Sequence, residues 1–154
     1  ILPTIETMTK RIPEKLFEGD PKTWGIADKD PWVAQLREIG IGLDEGARRK
    51  LVEDKNRKTI LNNLFKQLLS PLSTEDPLVL RSARITLIRI IDREWMDHVR
   101  EMEALKQGIY LRSYANIKPE QAYAEDGMIR FKQMMDQIAL DWTAYLIRST
   151  QPKE

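Results

Sequence analysis

From Pro77 to about Lys106 the apolar positions Leu80, Ala83, Leu87, Ile91, Trp95, Met102 and Leu105 recur at helical spacing along one face. The stretch predicts a helix of about 45 Å, at about 1.5 Å of rise per residue. Such a helix needs a partner along its apolar stripe to be stable in water. Gly108 interrupts the pattern, and a polar-aromatic loop follows: Ile109-Tyr110-Leu111-Arg112-Ser113-Tyr114-Ala115-Asn116. Pro119, with Glu120 beside it, opens a second predicted helix reaching about Arg148, because a first-turn proline gives up no helical hydrogen bond. Its stripe is Tyr123, Gly127, Phe131, Met134, Ile138, Trp142 and Tyr145. Two long amphipathic helices with a short connection predict an antiparallel hairpin. Trp95, in mid-stripe, is expected to lie largely buried between the arms.

Upstream, Asp44 is a good N-cap for a helix predicted to run to about Leu69. Its second half carries Ile60, Leu61, Leu64, Phe65 and Leu68 on one stripe, and its first half is rich in charge, including Arg48, Arg49, Lys50, Glu53 and Asp54. The charges could form a basic docking patch, but mixed signs fit a solvated face better. Ser70-Pro71 ends this helix, and Asp76-Pro77 caps and opens the next. The first forty-odd residues differ in texture. Gly19-Asp20-Pro21, Trp24-Gly25, Asp30-Pro31 and Gly40-Ile41-Gly42 divide them into short helices and turns. Trp24, Trp32, Val33 and Leu36 are their expected packing residues, with a short helix starting near Asp30-Pro31. Strand patterning is scarce. The predicted class is all-α, a long antiparallel hairpin (76–154) packed with a smaller irregular helical subdomain (1–75).

Charge narrows the function. Lys and Arg total 25 against 24 Asp and Glu, so the basic excess that neutralises phosphates in nucleic-acid binders is missing from the total. The absence of cysteine excludes disulfides and thiolate metal sites, and fits a cytoplasmic setting. No apolar run approaches a bilayer span. The N-terminus, ILPTIETMTKRIP, lacks the layout of a signal peptide. It starts at Ile1 without a methionine, and the chain is read as a piece of something longer.

No glycine leads into Lys-Ser or Lys-Thr at phosphate-loop spacing, and Gly40-Ile41-Gly42 reads as a turn. The lone histidine, His98, sits in Trp95-Met96-Asp97-His98. Asp97, Glu94 or Glu101 could pair with it, but no serine or threonine nucleophile stands at a matching helical spacing. His98 is expected to be structural, hydrogen-bonded in the hairpin interface. Met96, Met102, Met128, Met134 and Met135 could line a binding groove, but at helical spacing they read as core gap-fillers.

One ordered set of residues says more: Asp92-Arg93-Glu94-Trp95-Met96-Asp97-His98, then Leu105-Lys106-Gln107-Gly108-Ile109-Tyr110-Leu111-Arg112-Ser113-Tyr114-Ala115, then Pro119 to Tyr123, with Phe131, Met134 and Met135 beyond. It resembles the C-terminal region of the SecA family of preprotein-translocase motors. There a tryptophan-to-histidine helix leads through a Gly-Ile-x-Leu-Arg-x-Tyr loop into a Pro-x-x-x-Tyr helix. The resemblance covers roughly residues 76 to 148, and 1 to 75 fall where the family has its helical wing. Ser113, Asn116 and Lys118 depart from the family's usual glycine, glutamine and aspartate, which suggests a divergent or accessory member.

The resemblance implies that the hairpin is the two-helix finger of a helical scaffold in an ATP-driven export motor. Tyr114 at its tip, flanked by Tyr110, Arg112 and Ser113, would contact a preprotein client and the mouth of a SecY-type channel. Trp95 and His98 would belong to the hairpin that restrains ATP hydrolysis by nucleotide-binding domains of the parent chain. ATP and magnesium belong to the parent by resemblance, and no cofactor or catalytic residue is expected in this stretch. The implied location is cytoplasmic, peripherally associated with the membrane. Two readings stay open beside it. Tyr110 and Tyr114 could merely cap the hairpin core. The whole could also be a helical protein–protein interaction module, which would leave a contiguous apolar face exposed.

Overall fold

The computed structural model describes residues 2–73, 76–112 and 118–151. Among them are six α-helices and no strand. They are α1 (Leu2–Leu16), α2 (Pro31–Glu38), α3 (Glu45–Glu53), α4 (Arg57–Leu69), α5 (Pro77–Arg112) and α6 (Pro119–Thr150), with short 3-10 turns at Pro21–Thr23 and Ser70–Ser73. The all-α class and the antiparallel pairing of α5 with α6 are as the pattern predicts.

Local chemistry sets most helix ends. The Asp44 carboxylate accepts from the Ala47 amide at 2.7 Å and starts α3. Asp76 accepts from the Leu78 amide at 3.0 Å, with Pro77 in the first turn of α5. The end of α2 needs a glycine. Gly40 has φ +97°, and the Ile41 amide reaches back to the Leu36 carbonyl at 2.8 Å. A Cβ on Gly40 would also come within 3.1 Å of Ile147.

Three boundaries differ from the sequence expectation. The helix predicted from Asp44 to Leu69 is two helices. Asp54 ends α3 in extended backbone and accepts from the Asn56 amide at 2.8 Å. The Arg57 guanidinium then donates to the Leu51 and Val52 carbonyls at 2.9 and 3.0 Å, satisfying acceptors that a helix end leaves open. Gly108 does not end α5, which continues through it to Arg112. The third difference is one of length: α1 is a 15-residue helix in a stretch where short helices and turns were expected. Pro13 lies inside it, wholly buried next to Ile12, and tertiary packing there outweighs the lost amide hydrogen bond.

The core gathers where α1, α4, the first half of α5 and the second half of α6 meet. Trp142, Phe65, Ile12, Leu36, Leu61, Leu146 and Ile147 are its largest fully buried side chains. One continuous apolar cluster includes residues on both sides of the 75/76 boundary. Arg11 of α1 meets Asp136 of α6 at 3.3 Å, and Lys132 meets Glu18 at 2.7 Å. Beyond that cluster the hairpin continues, with Leu105 and Ile109 its buried apolar side chains and His98 buried beside them.

The inward face of α5 is not the one expected. Ala83, Ile90, His98, Leu105 and Ile109 are buried, whereas Trp95 is 51% exposed. The assumed stripe ran Ala83, Leu87, Ile91, Trp95 in four-residue steps. Each such step turns the face by about 40° at about 100° per residue, so Trp95 stands about 120° from Ala83. On α6 the stripe is right at Met134, Ile138 and Trp142, but Phe131 is exposed. Gly127 is buried against Met102, whose Cε would lie 2.8 Å from an added Cβ. The methionines divide too. Met134 is buried, Met102 and Met135 half-buried, and Met96 and Met128 exposed rather than core fillers.

Candidate functional site: the hairpin end and the outer face of α5

Near the end of the hairpin, Lys106, Ile109 and Tyr110 of α5 and Pro119, Glu120 and Tyr123 of α6 line a cleft of about 440 Å³. Tyr110 is 67% exposed and Leu111 is more so. Ser113 and Tyr114, expected at the tip, lie outside the described residues, as does the side chain of Arg112. The described part of the end therefore presents an aromatic ring with a hydroxyl beside apolar surface, a combination that contacts varied side chains without demanding one sequence.

Farther back, His98 is 8% exposed, as a structural histidine should be. Its expected hydrogen bond is missing, because Nδ1 is buried with no partner. Its surroundings are aromatic instead: the Trp95 ring lies 5.5 Å away and the Phe131 ring 6.0 Å, edge-on. The carboxylates that could have served it turn to arginines. Asp97 faces Arg100 at 3.5 Å, and Glu101 faces Arg130 at 3.5 Å. Glu94 is 3.3 Å from Arg93, which also meets Asp141 at 2.7 Å. Burial, and next the nearby Asp141 charge, push the Glu94 carboxyl above its ordinary range, with Arg93 opposing. Among the described residues no acid/base pair forms around His98.

The charged first half of the Asp44–Leu69 stretch is mostly solvated, but Arg48 is a tether. It donates to the Leu43 and Ile26 carbonyls at 2.9 and 3.0 Å and meets Asp28 at 2.8 Å. Arg48, then Arg37, hold the Asp28 carboxyl below its usual range.

The outer face of α5 was missed in the sequence. Ile85, Ile88, Ile91, Trp95, Met96 and Val99 are all more than a third exposed. The signal was available: Ile85, Ile88, Asp92, Trp95, Val99 and Met102 alternate in steps of three and four, a second heptad-like stripe on the same helix. The chain offers no glycine–lysine phosphate cradle, and among the described residues no group of His, Asp and Glu could hold a metal ion. No described helix is long and apolar enough to cross a membrane.

Comparison with known proteins places these features in a family. The family described as the SecA Wing and Scaffold domain matches residues 3–150. A protein translocase subunit SecA of Clostridium botulinum is 32% identical over 114 residues, 74% of this chain and 13% of that relative. The subunit of the same name from Aquifex aeolicus is 26% identical over 142 residues, 88% of this chain and 14% of its own length. One from Clostridium perfringens is 43% identical over 63 residues, 41% of this chain. No solved structure matches significantly.

Proposed function

The chain belongs to the SecA family through its wing and scaffold domain, and on that premise we propose that it supplies the finger of an ATP-driven protein-export motor. It spans only 13 to 14% of the length of the first relatives above, so nucleotide binding and hydrolysis are assigned to parts beyond this stretch, with ATP and magnesium bound there. The end of the hairpin contacts the moving preprotein and the mouth of a SecY-type channel. The hairpin around Trp95 and His98 restrains hydrolysis until both are engaged. The working location is the cytoplasmic side of the membrane, peripherally bound.

The observation that carries this reading is the exposed end of the hairpin. Tyr110 and Leu111 stand in solvent beside a cleft, on a helix that continues past Gly108. Apolar groups kept at such an end lose the benefit of burial unless something docks there. The test is photo-crosslinking from positions 110 and 114 in the full-length motor during transport. Adducts with client or channel are expected, together with impaired export by Tyr114→Ala and near-normal export by Tyr114→Phe. Normal export by the alanine variant, with no adduct from either position, sinks the reading and leaves the tyrosines as caps of the hairpin core.

A second reading, a helical interaction module, is favoured by the contiguous apolar face of α5. The two are compatible, since a motor's scaffold must also hold its neighbours.

A further inference from the structure

We propose that the last turn of α5, from Ile109 to Arg112, is a latch hinged at Gly108. It exchanges the observed helix for extended backbone and so carries Leu111 from solvent into the cleft against α6. The proposal is independent of the export reading, because it concerns an equilibrium within this chain.

Gly108 lies inside α5, four residues from its end. A helical glycine is disfavoured about fivefold against alanine, because it gives up more backbone freedom. Neither backbone nor space requires it here. Among the described residues the glycines with positive φ are Gly19 and Gly40, and a Cβ added at Gly108 would meet nothing within 4 Å. Gly127 is the contrast, where an added Cβ would lie 2.8 Å from Met102. The residues after Gly108, Ile109 and Tyr110, also fit extended backbone better, since branched and aromatic side chains lose rotamer freedom against a preceding helical turn. Local preference therefore works against the helix in this turn.

Side-chain direction shows what the other conformation gains. Ile109 is buried, whereas Leu111 is 77% exposed. At about 100° per residue the two point about 200° apart, so a helix can bury one but not both. In extended backbone alternate residues share a side. Unwinding from Gly108, with Ile109 held in place, therefore turns Leu111 toward α6 as well. The room exists: the cleft of about 440 Å³ is walled by Ile109, Pro119 and Tyr123. Against this gain stand the backbone hydrogen bonds of one turn, at a helix end. Burial of a leucine offsets a loss of that size, and two states so closely matched respond to small influences. With the turn helical the cleft is open; with it extended the cleft is filled and Leu111 is hidden.

Hydrogen exchange of the full-length motor, without client or channel, tests the latch at the amides of residues 109 to 112. Gly108→Ala fits the open space and favours the helix, so exchange there should slow about fivefold. Leu111→Gln keeps a good helix former but removes the apolar group that the cleft receives. It should slow the same amides by about threefold or more. Ordinary fraying of a helix end gives a different result, because it does not depend on an apolar group at position 111. Unchanged or faster exchange in Leu111→Gln overturns the proposal, even where Gly108→Ala slows it. So does unchanged exchange in Gly108→Ala.

Discussion

The indole Nε1 of Trp142 donates to the backbone carbonyl of Ala83 at 3.0 Å, a buried hydrogen bond between residues 59 apart in sequence. It locks α6 against α5 at the level of the core, with Trp142 wholly inaccessible. Trp142→Ala should cost about 3–5 kcal/mol, the usual range for deleting a buried large aromatic side chain. Trp142→Phe keeps most of the apolar contact and loses the donor, at about 1–2 kcal/mol. Urea unfolding of the two variants separates packing from hydrogen bonding. A Trp142→Phe midpoint equal to that of the unmutated chain would show that the bond contributes nothing.

Trp95 should behave in the opposite way. It is half exposed, with the His98 ring tilted against it at 5.5 Å, so Trp95→Ala should change stability by less than about 1 kcal/mol. Acrylamide quenching should reach it far more readily than Trp142. A loss comparable to that of Trp142→Ala would put Trp95 back in the core.

Arg57 joins α3, α4 and the N-terminal turns. Its guanidinium caps two α3 carbonyls and stacks 4.8 Å from the Trp24 ring. Arg57→Leu keeps an apolar stem but leaves those carbonyls open, and should cost about 1–2 kcal/mol. Faster amide exchange should appear at the end of α3 before it appears in α6. Unchanged exchange there would mean that water replaces the guanidinium at no cost.

Glu94 carries a pH dependence. Its carboxyl is raised in the folded state, so its contribution to stability is fullest below the ordinary carboxylate range and is lost as pH rises through the raised value. Glu94→Gln mimics the protonated form and leaves the Arg93–Asp141 pair in place. It should stabilise the fold at about pH 7 by a few tenths of a kcal/mol, a small effect because the site is partly solvated. The advantage should vanish near about pH 3. Thermal melts across that interval check the sign, and a variant less stable than the parent at neutral pH contradicts it.

Isolated, the chain should bind no ATP at micromolar concentrations, because it has no glycine–lysine cradle for phosphates. Calorimetric titration with ATP and magnesium tests this directly, and measurable heat of binding would require a phosphate site that the sequence pattern does not contain.

The sequence by itself determined the helical class, the hairpin and several of its punctuation marks. Asp44, Asp76-Pro77, Pro119 and Gly40 act through their own or adjacent backbone groups, so residue type is enough to place them. The ordered residues from Asp92 to Tyr123 also pointed to the family that the comparisons bear out. Tertiary structure decided what depends on more than one segment. Asp54 begins a break that is completed by Arg57, whose effect comes from reaching carbonyls of the preceding helix. Pro13 remains helical because α1 is buried against α4 and α6. On α5 two apolar stripes compete, one through Ile90 and His98 and one through Ile88 and Trp95. Periodicity marks both equally, since a helix repeats along every face. Only the docking of α6, anchored by Trp142 on Ala83, chose which one went inside.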